Sequence, residues 1–210
     1  MRKRDCARLA AALLGAAALT GVGGMAWADQ EQWGEDEEVV LTAEIEPLSG
    51  EGLLAMSVKT NAATLTESGS TALVRQFTGT LPEVKVTDTR DQDQIADDVV
   101  WYVLGSASDF EGDSGQPDIL AQNLGWGPRL IDGGASGAVA PGPRVDTALD
   151  SGPNNVGLVD QEFLFETTDP SKDVVSEGEW TAEADLFLKT APTVAPGTYT
   201  STLTLSLFEE

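Results

Sequence analysis

From residue 39 onward, apolar and polar residues alternate in short runs separated by glycine, proline, asparagine and aspartate, and helical periodicity is absent. Alternation with period two is what a half-buried strand requires, because successive side chains point to opposite faces of a sheet. The pattern predicts ten short strands, at 39–45, 53–58, 72–79, 83–88, 99–106, 119–124, 144–149, 156–166, 180–188 and 198–207. Many short strands with frequent turn signals predict an all-β fold, an antiparallel β-sandwich of two packed sheets.

The last strand has the clearest pattern. Tyr199, Ser201, Leu203, Leu205 and Leu207 fall on one face, and Thr198, Thr200, Thr202, Thr204 and Ser206 on the other. That is a strand with one face in a core and one in water, so removing it should unfold the domain. Upstream, Ala182, Ala184, Leu186 and Leu188 alternate with Glu183, Asp185, Phe187 and Lys189, and the two strands are expected to form a hairpin-like pair closing the sandwich. The glycine- and proline-rich stretch 132–155 reads as long loops, expected to be mobile rather than functional. No repeat or heptad is visible.

The first 28 residues follow a different logic. Arg2-Lys3-Arg4 precedes an alanine-rich apolar run, and Ala26-Trp27-Ala28 supplies the small residues at which signal peptidase cuts, so 1–28 reads as a signal peptide. The run is short and broken by Gly21, Gly23 and Gly24, unlike a spanning helix of about 20 apolar residues. Cys6 lies before it, where a lipoprotein would need its cysteine after it. The expected product is extracellular, secreted or wall-associated, without a membrane span. It consists of an acidic flexible start at 29–38, containing Trp33, and one domain at 39–210.

Removal of 1–28 takes the only cysteine and four of the twelve basic residues, leaving 8 Lys and Arg against 34 Asp and Glu, a net charge of −26. With no histidine or cysteine left, thiol or imidazole nucleophile systems and His/Cys zinc sites are excluded. The charge disfavours nucleic acid and anionic membranes, because their phosphates would be repelled. Ser, Thr, Tyr, Lys, Asp and Glu remain as possible catalytic groups, and the best enzyme reading is a glycosidase using two carboxylates, for instance Asp109 with Glu111 or Asp113. In so acidic a chain neighbouring acids carry little information, and neither Gly-x-Ser-x-Gly nor Ser-x-x-Lys occurs. A non-catalytic protein is the expectation, with a carboxylate-dependent glycoside hydrolase as one alternative.

Two constellations invite a ligand. Asp88, Asp91, Asp93, Asp97 and Asp98 crowd one inter-strand loop, and carboxylate oxygens are what Ca2+ selects. The spacing matches no defined calcium loop, so a solvated loop is expected, with Asp88, Asp91 and Asp93 as candidate ligands; Asp88 with Arg90 is expected to fix the strand end. Trp101, Trp126 and Trp180 could form a platform for sugar rings or belong to the core; Trp101 sits in a run that looks buried, and Trp126, between glycines, is expected to be partly exposed.

The segments Leu81-Pro82-Glu83-Val84-Lys85-Val86-Thr87-Asp88-Thr89-Arg90, Val100-Trp101-Tyr102-Val103, Ser106-Ala107-Ser108-Asp109-Phe110 and the closing Gly197-Thr198-Tyr199-Thr200-Ser201-Thr202-Leu203-Thr204-Leu205-Ser206-Leu207, in this order, resemble the WxL-domain surface proteins of Gram-positive bacteria. Leu124-Gly125-Trp126-Gly127-Pro128 is similar to a segment of actinobacterial relatives. Where that family has two Trp-x-Leu motifs, this chain has Trp101-Tyr102-Val103 and Leu205-Ser206-Leu207. The resemblance implies an exported protein that associates non-covalently with peptidoglycan, with cell-wall glycan or a surface protein assembly as partner; Trp101, Trp126 and Trp180 are the residues to test for contact with glycan. A matrix or adhesion subunit that binds a protein through a sheet edge is the other alternative. Given the charge, wall binding should increase with added salt or calcium.

Overall fold

The computed structural model describes residues 52–210; the expected signal peptide, the acidic start at 29–38 and the first expected strand at 39–45 lie outside them. Twelve strands occur among the described residues: β1 (Leu54–Val58), β2 (Thr66–Glu67), β3 (Arg75–Thr80), β4 (Val84–Asp88), β5 (Trp101–Ala107), β6 (Glu111–Gly112), β7 (Leu124–Asp132), β8 (Val139–Pro141), β9 (Glu162–Thr167), β10 (Glu179–Thr190), β11 (Tyr199–Thr200) and β12 (Leu203–Glu209). The fold is all-β and antiparallel, as the alternation predicts. One helical turn, Ser171–Val174, leads into β10. No helix among the described residues is long and apolar enough to cross a membrane.

The larger sheet is built around β10. Along one side β10 pairs with β7, and along the other with β4 and then β3. The last two are halves of one interrupted strand: both run antiparallel to β10, and between them the Leu81 amide still donates to the Ala184 carbonyl (2.8 Å). Pro82, which has no N–H to give a ladder, sits at the break. β1 adds to β4 and β2 to β3. The second sheet has the order β12-β5-β9-β8, and β6 with β11 forms a separate two-stranded ribbon.

Period-two patterning decides what is buried. Trp180, Ala182, Ala184, Leu186 and Leu188 of β10 meet Trp101 and Val103 of β5 and Trp126 of β7 in one core. The Trp101 ring lies 5.1 Å from Trp180 and 5.3 Å from Phe165 between centroids. Indoles of this size dominate core energetics, each fully buried large apolar side chain contributing about 1.5–3 kcal/mol. Gly105 makes room for them: a Cβ there would lie 2.6 Å from Cη2 of Trp126. In β9 a register shift at Val103/Leu104 lets both Leu164 and Phe165 turn inward.

Several sequence expectations need correction. The strands expected at 180–188 and 198–207 do not form a pair: β10 lies in the larger sheet, whereas β12 pairs with β5. Both have an apolar face, and alternation reports the face without the neighbour. The strand expected at 119–124 is a bridge at Ile119 followed by a 3-10 turn over Ala121–Asn123, and the true strand starts at Leu124. At 144–149 only Val145 forms a bridge, to Trp126. The stretch 132–155, expected to be long loops, is mostly exposed but includes ordered pieces. It carries β8, buries Ala138, Val139, Val145 and Thr147, and is tied by Ser136 N–H to Glu177 (2.6 Å) and by the Asn154 amide to the Arg144 carbonyl (2.9 Å).

Candidate functional site

The outer face of the second sheet carries the feature most suited to a ligand. In β5, Trp101, Val103 and Gly105 turn inward, so Tyr102, Leu104 and Ser106 turn out. On β12 the inward Leu203, Leu205 and Leu207 leave Thr204, Ser206 and Phe208 outside. Phe163 of β9 completes a row across three strands: the Tyr102 ring is 5.6 Å from Phe163 and 5.6 Å from Phe208, tilted against the first and stacked with the second. Phe163 and Phe208 are 36% and 39% exposed. Polar residues border the row, among them Glu166, Ser206 and Glu210, and burial together with the Glu210 carboxylate raises the Tyr102 pKa.

Cross-strand aromatic pairs stabilise a sheet by about 0.5–1.5 kcal/mol each beyond the area they bury. An outward row of three also offers an apolar ridge stepped at the interstrand spacing, about 4.8 Å. Such a ridge suits the C–H faces of successive sugar rings, with hydroxyls free to meet the polar border.

The tryptophans expected to stack on sugar are elsewhere. Trp101, Trp126 and Trp180 are all fully buried, with no ring face open to a ligand. Trp126, between glycines, was expected to be partly exposed; of the two glycines, Gly125 serves packing, whereas a Cβ on Gly127 would make only an ordinary contact with Arg144. A Cβ on Gly125 would overlap the Phe187 ring and sit 2.5 Å from the Val145 carbonyl oxygen. The indole N–H of Trp180 donates to Glu177 (2.9 Å).

The candidate calcium ligands also separate. Asp88 is buried and grips Arg90 through both oxygens (2.9 and 2.7 Å), and Arg90 in turn holds both oxygens of Glu209 at the end of β12 (2.8 and 2.7 Å). The expected Asp88–Arg90 anchor is therefore present, and it engages the carboxylate a cation would need. Asp91 and Asp93 are exposed beside a 3-10 turn in which the Asp91 amide donates to the Gln94 side chain (2.7 Å), and Asp97 pairs with Lys172. Among the described residues no three acidic side chains gather as a metal site.

The acids considered for hydrolysis are engaged locally. Asp109 accepts the Ala121 amide (2.7 Å), and hydrogen bonds from Gln116 and Ser114 hold the Asp113 pKa below its usual value. Glu162 has a raised pKa, from burial and then the nearby Asp160 charge, and it lies on β9.

No family model matches this chain, and no curated protein matches it. A solved structure that it resembles, a family 123 glycoside hydrolase from Clostridium perfringens whose described activity is glycolipid glycan hydrolysis, is 14% identical over 76% of this chain, with a TM-score of 0.31. The chain spans 25% of that enzyme, and a likeness of this size carries no argument about activity.

Proposed function

We propose that the protein is an exported, non-catalytic surface protein that associates non-covalently with the cell wall, and that Tyr102, Phe163 and Phe208 make the contact with glycan. The observation that carries this reading is the row of three rings on the outer face of the second sheet. A contiguous apolar feature kept in water marks a binding surface more often than single exposed residues do. The sequence resemblance to wall-associated proteins supplies the ligand class, and the row supplies a place for it that the buried tryptophans do not.

Co-sedimentation with sacculi stripped of protein, with the supernatant assayed for released sugar, tests this. The protein should pellet without releasing sugar, and Phe163→Ser with Phe208→Ser should lower retention at least about tenfold, since each ring contact of this kind contributes on the order of 1 kcal/mol. Repulsion between the acidic protein and anionic wall polymers should make retention rise with salt. Unchanged retention in the double variant would refute the site, and sugar release would refute the non-catalytic reading.

A further inference from the structure

Among the described residues, β1 and β12 are edge strands of the two sheets, and a groove lies beside them. This groove, largely apolar and of about 550 Å³, is lined by Met56 and Val58 of β1, Leu65, Phe110, and Leu203 and Leu205 of β12. Its two long walls are strand edges. Val100 and Glu210 exchange both backbone hydrogen bonds (2.9 and 3.1 Å), and Ser108 N–H donates to the Thr202 carbonyl (2.9 Å). The antiparallel alternation therefore gives the even residues of β12 to β5 and turns the backbone groups of Leu203, Leu205 and Leu207 to the unpaired side. By the same rule, the bonds of Leu53 with Thr89 and of Lys59 with Glu83 leave those of Leu54, Met56 and Val58 open on β1. Among the described residues no strand pairs with either edge.

Charge selects the occupant. All eight basic side chains among the described residues lie within ion-pair distance of a carboxylate of the same chain. No Lys or Arg occurs between Arg90 and Arg129, or after Lys189. Asp109, Glu111 and Asp113 flank Phe110 along the chain, Phe110 lines the groove, and among the described residues none of the three acids has a basic partner. A second copy of this chain would bring no complement: its alternating segment at 39–45 carries Glu44, is bracketed by Glu37, Glu38 and Glu46, and lies in a stretch without Lys or Arg from residue 9 to 58.

We infer that the groove receives an extended segment of a basic partner polypeptide, apolar at alternate positions and carrying Lys or Arg where it leaves the groove beside Phe110. Backbone bonds to the two edges give affinity, the groove takes every second side chain, and the acids flanking Phe110 set the sign of charge. This surface is separate from the aromatic row, so the two can be occupied together.

The test uses purified protein and fluorescein-labelled synthetic peptides of alternating valine and threonine, ended by lysines, serines or glutamates, and read by anisotropy. The lysine-ended peptide should bind, and the serine-ended one about tenfold more weakly at low salt, as expected for rim ion pairs. The difference should close when salt rises from about 0.05 to 0.5 M. Methylating alternate peptide amides should abolish binding, as should Val58→Arg, a change at an exposed wall position that leaves the core intact. In Glu111→Gln with Asp113→Asn the lysine preference should shrink several-fold. Equal affinity of the lysine- and serine-ended peptides would overturn the charge requirement. Binding that survives amide methylation, or no binding by any of the peptides, would overturn the strand-receiving groove, and neither result touches retention on sacculi.

Discussion

Replacing Arg90 with methionine tests the idea that one buried ion cluster holds the C-terminal strand to the rest of the fold. The guanidinium is 14% exposed and spans two carboxylates: Asp88 at the end of β4, whose side chain is fully buried, and Glu209 at the end of β12. Methionine keeps most of the aliphatic stem and removes the charge. It strands the Asp88 carboxylate with only the backbone N–H of residue 90, at 3.1 Å. Breaking a buried pair from one side costs about 3–5 kcal/mol, and the remaining backbone bond places this case near the lower end, at about 3 kcal/mol. For a domain of this size that is a fall of roughly 6–12 °C in Tm. Because Trp101, Trp126 and Trp180 are fully buried, urea unfolding can be followed by the red shift of their emission. Glu209→Gln should cost less, about 0.5–1 kcal/mol, because Glu209 is partly solvated. Pairing Arg90→Met with Asp88→Leu should recover much of the loss by removing the stranded charge. A loss below about 1 kcal/mol in Arg90→Met, or equal losses in Arg90→Met and Glu209→Gln, would refute the reasoning.

Other outcomes follow from the same contacts. Gly105→Ala should destabilise by about 1–3 kcal/mol through the clash with Trp126, and an unchanged urea midpoint would contradict that packing. Deleting residues 203–210 should abolish cooperative unfolding in circular dichroism, since β12 supplies Leu203, Leu205 and Leu207 to the core edge. Burial pushes the Asp150 carboxyl up, but hydrogen bonds from Lys189 and Thr147 outweigh it and leave its pKa below 3.8. Its stabilising contribution is therefore present above about pH 3.8 and lost as pH falls through the lower folded value; urea midpoints should show Asp150→Asn removing that part of the acid dependence. Glu162 has the opposite sign: its folded pKa is raised, so the ionised form opposes folding, and Glu162→Gln should raise the midpoint at pH 7 but not well below pH 4.5.

How much of this could be read from sequence depends on the kind of signal. Period-two alternation located 53–58, 83–88, 99–106 and 180–188 to within a few residues, because each of those strands has one face in the core. It failed at 119–124 and 144–149, where apolar residues are buried by bridges and turns that have no period. It also could not say which strands pair, which is why β10 and β12 were matched to each other. At the proposed binding surface, residue type misled. Tryptophan attracts a sugar-binding reading, but Trp101 and Trp180 occupy the inward phase of their strands, as Trp126 does in a strand whose start was placed too early. Phase was the usable signal: Thr202, Thr204 and Ser206 mark the outward side of the last strand, and Phe208 is the next outward residue. Tyr102 is likewise outward by virtue of Trp101 and Val103 being inward. The Asp88–Arg90 pair was legible because the partners are two residues apart, whereas Glu209, the third member, was not.

The placement of β10 has a consequence for when this chain can fold. The strand that joins β3, β4 and β7 into a sheet spans Glu179–Thr190, and the one that flanks β5 spans Leu203–Glu209, so the early strands wait for partners made much later. Pairings this distant along the chain are slow to form, because a long loop must close before any contact rewards it. A chain emerging from the ribosome would thus hold neither sheet complete until residues 179–209 had been synthesised. For a protein proposed to be exported, that ordering favours passage through a translocation channel in an unfolded state, with folding deferred to the far side.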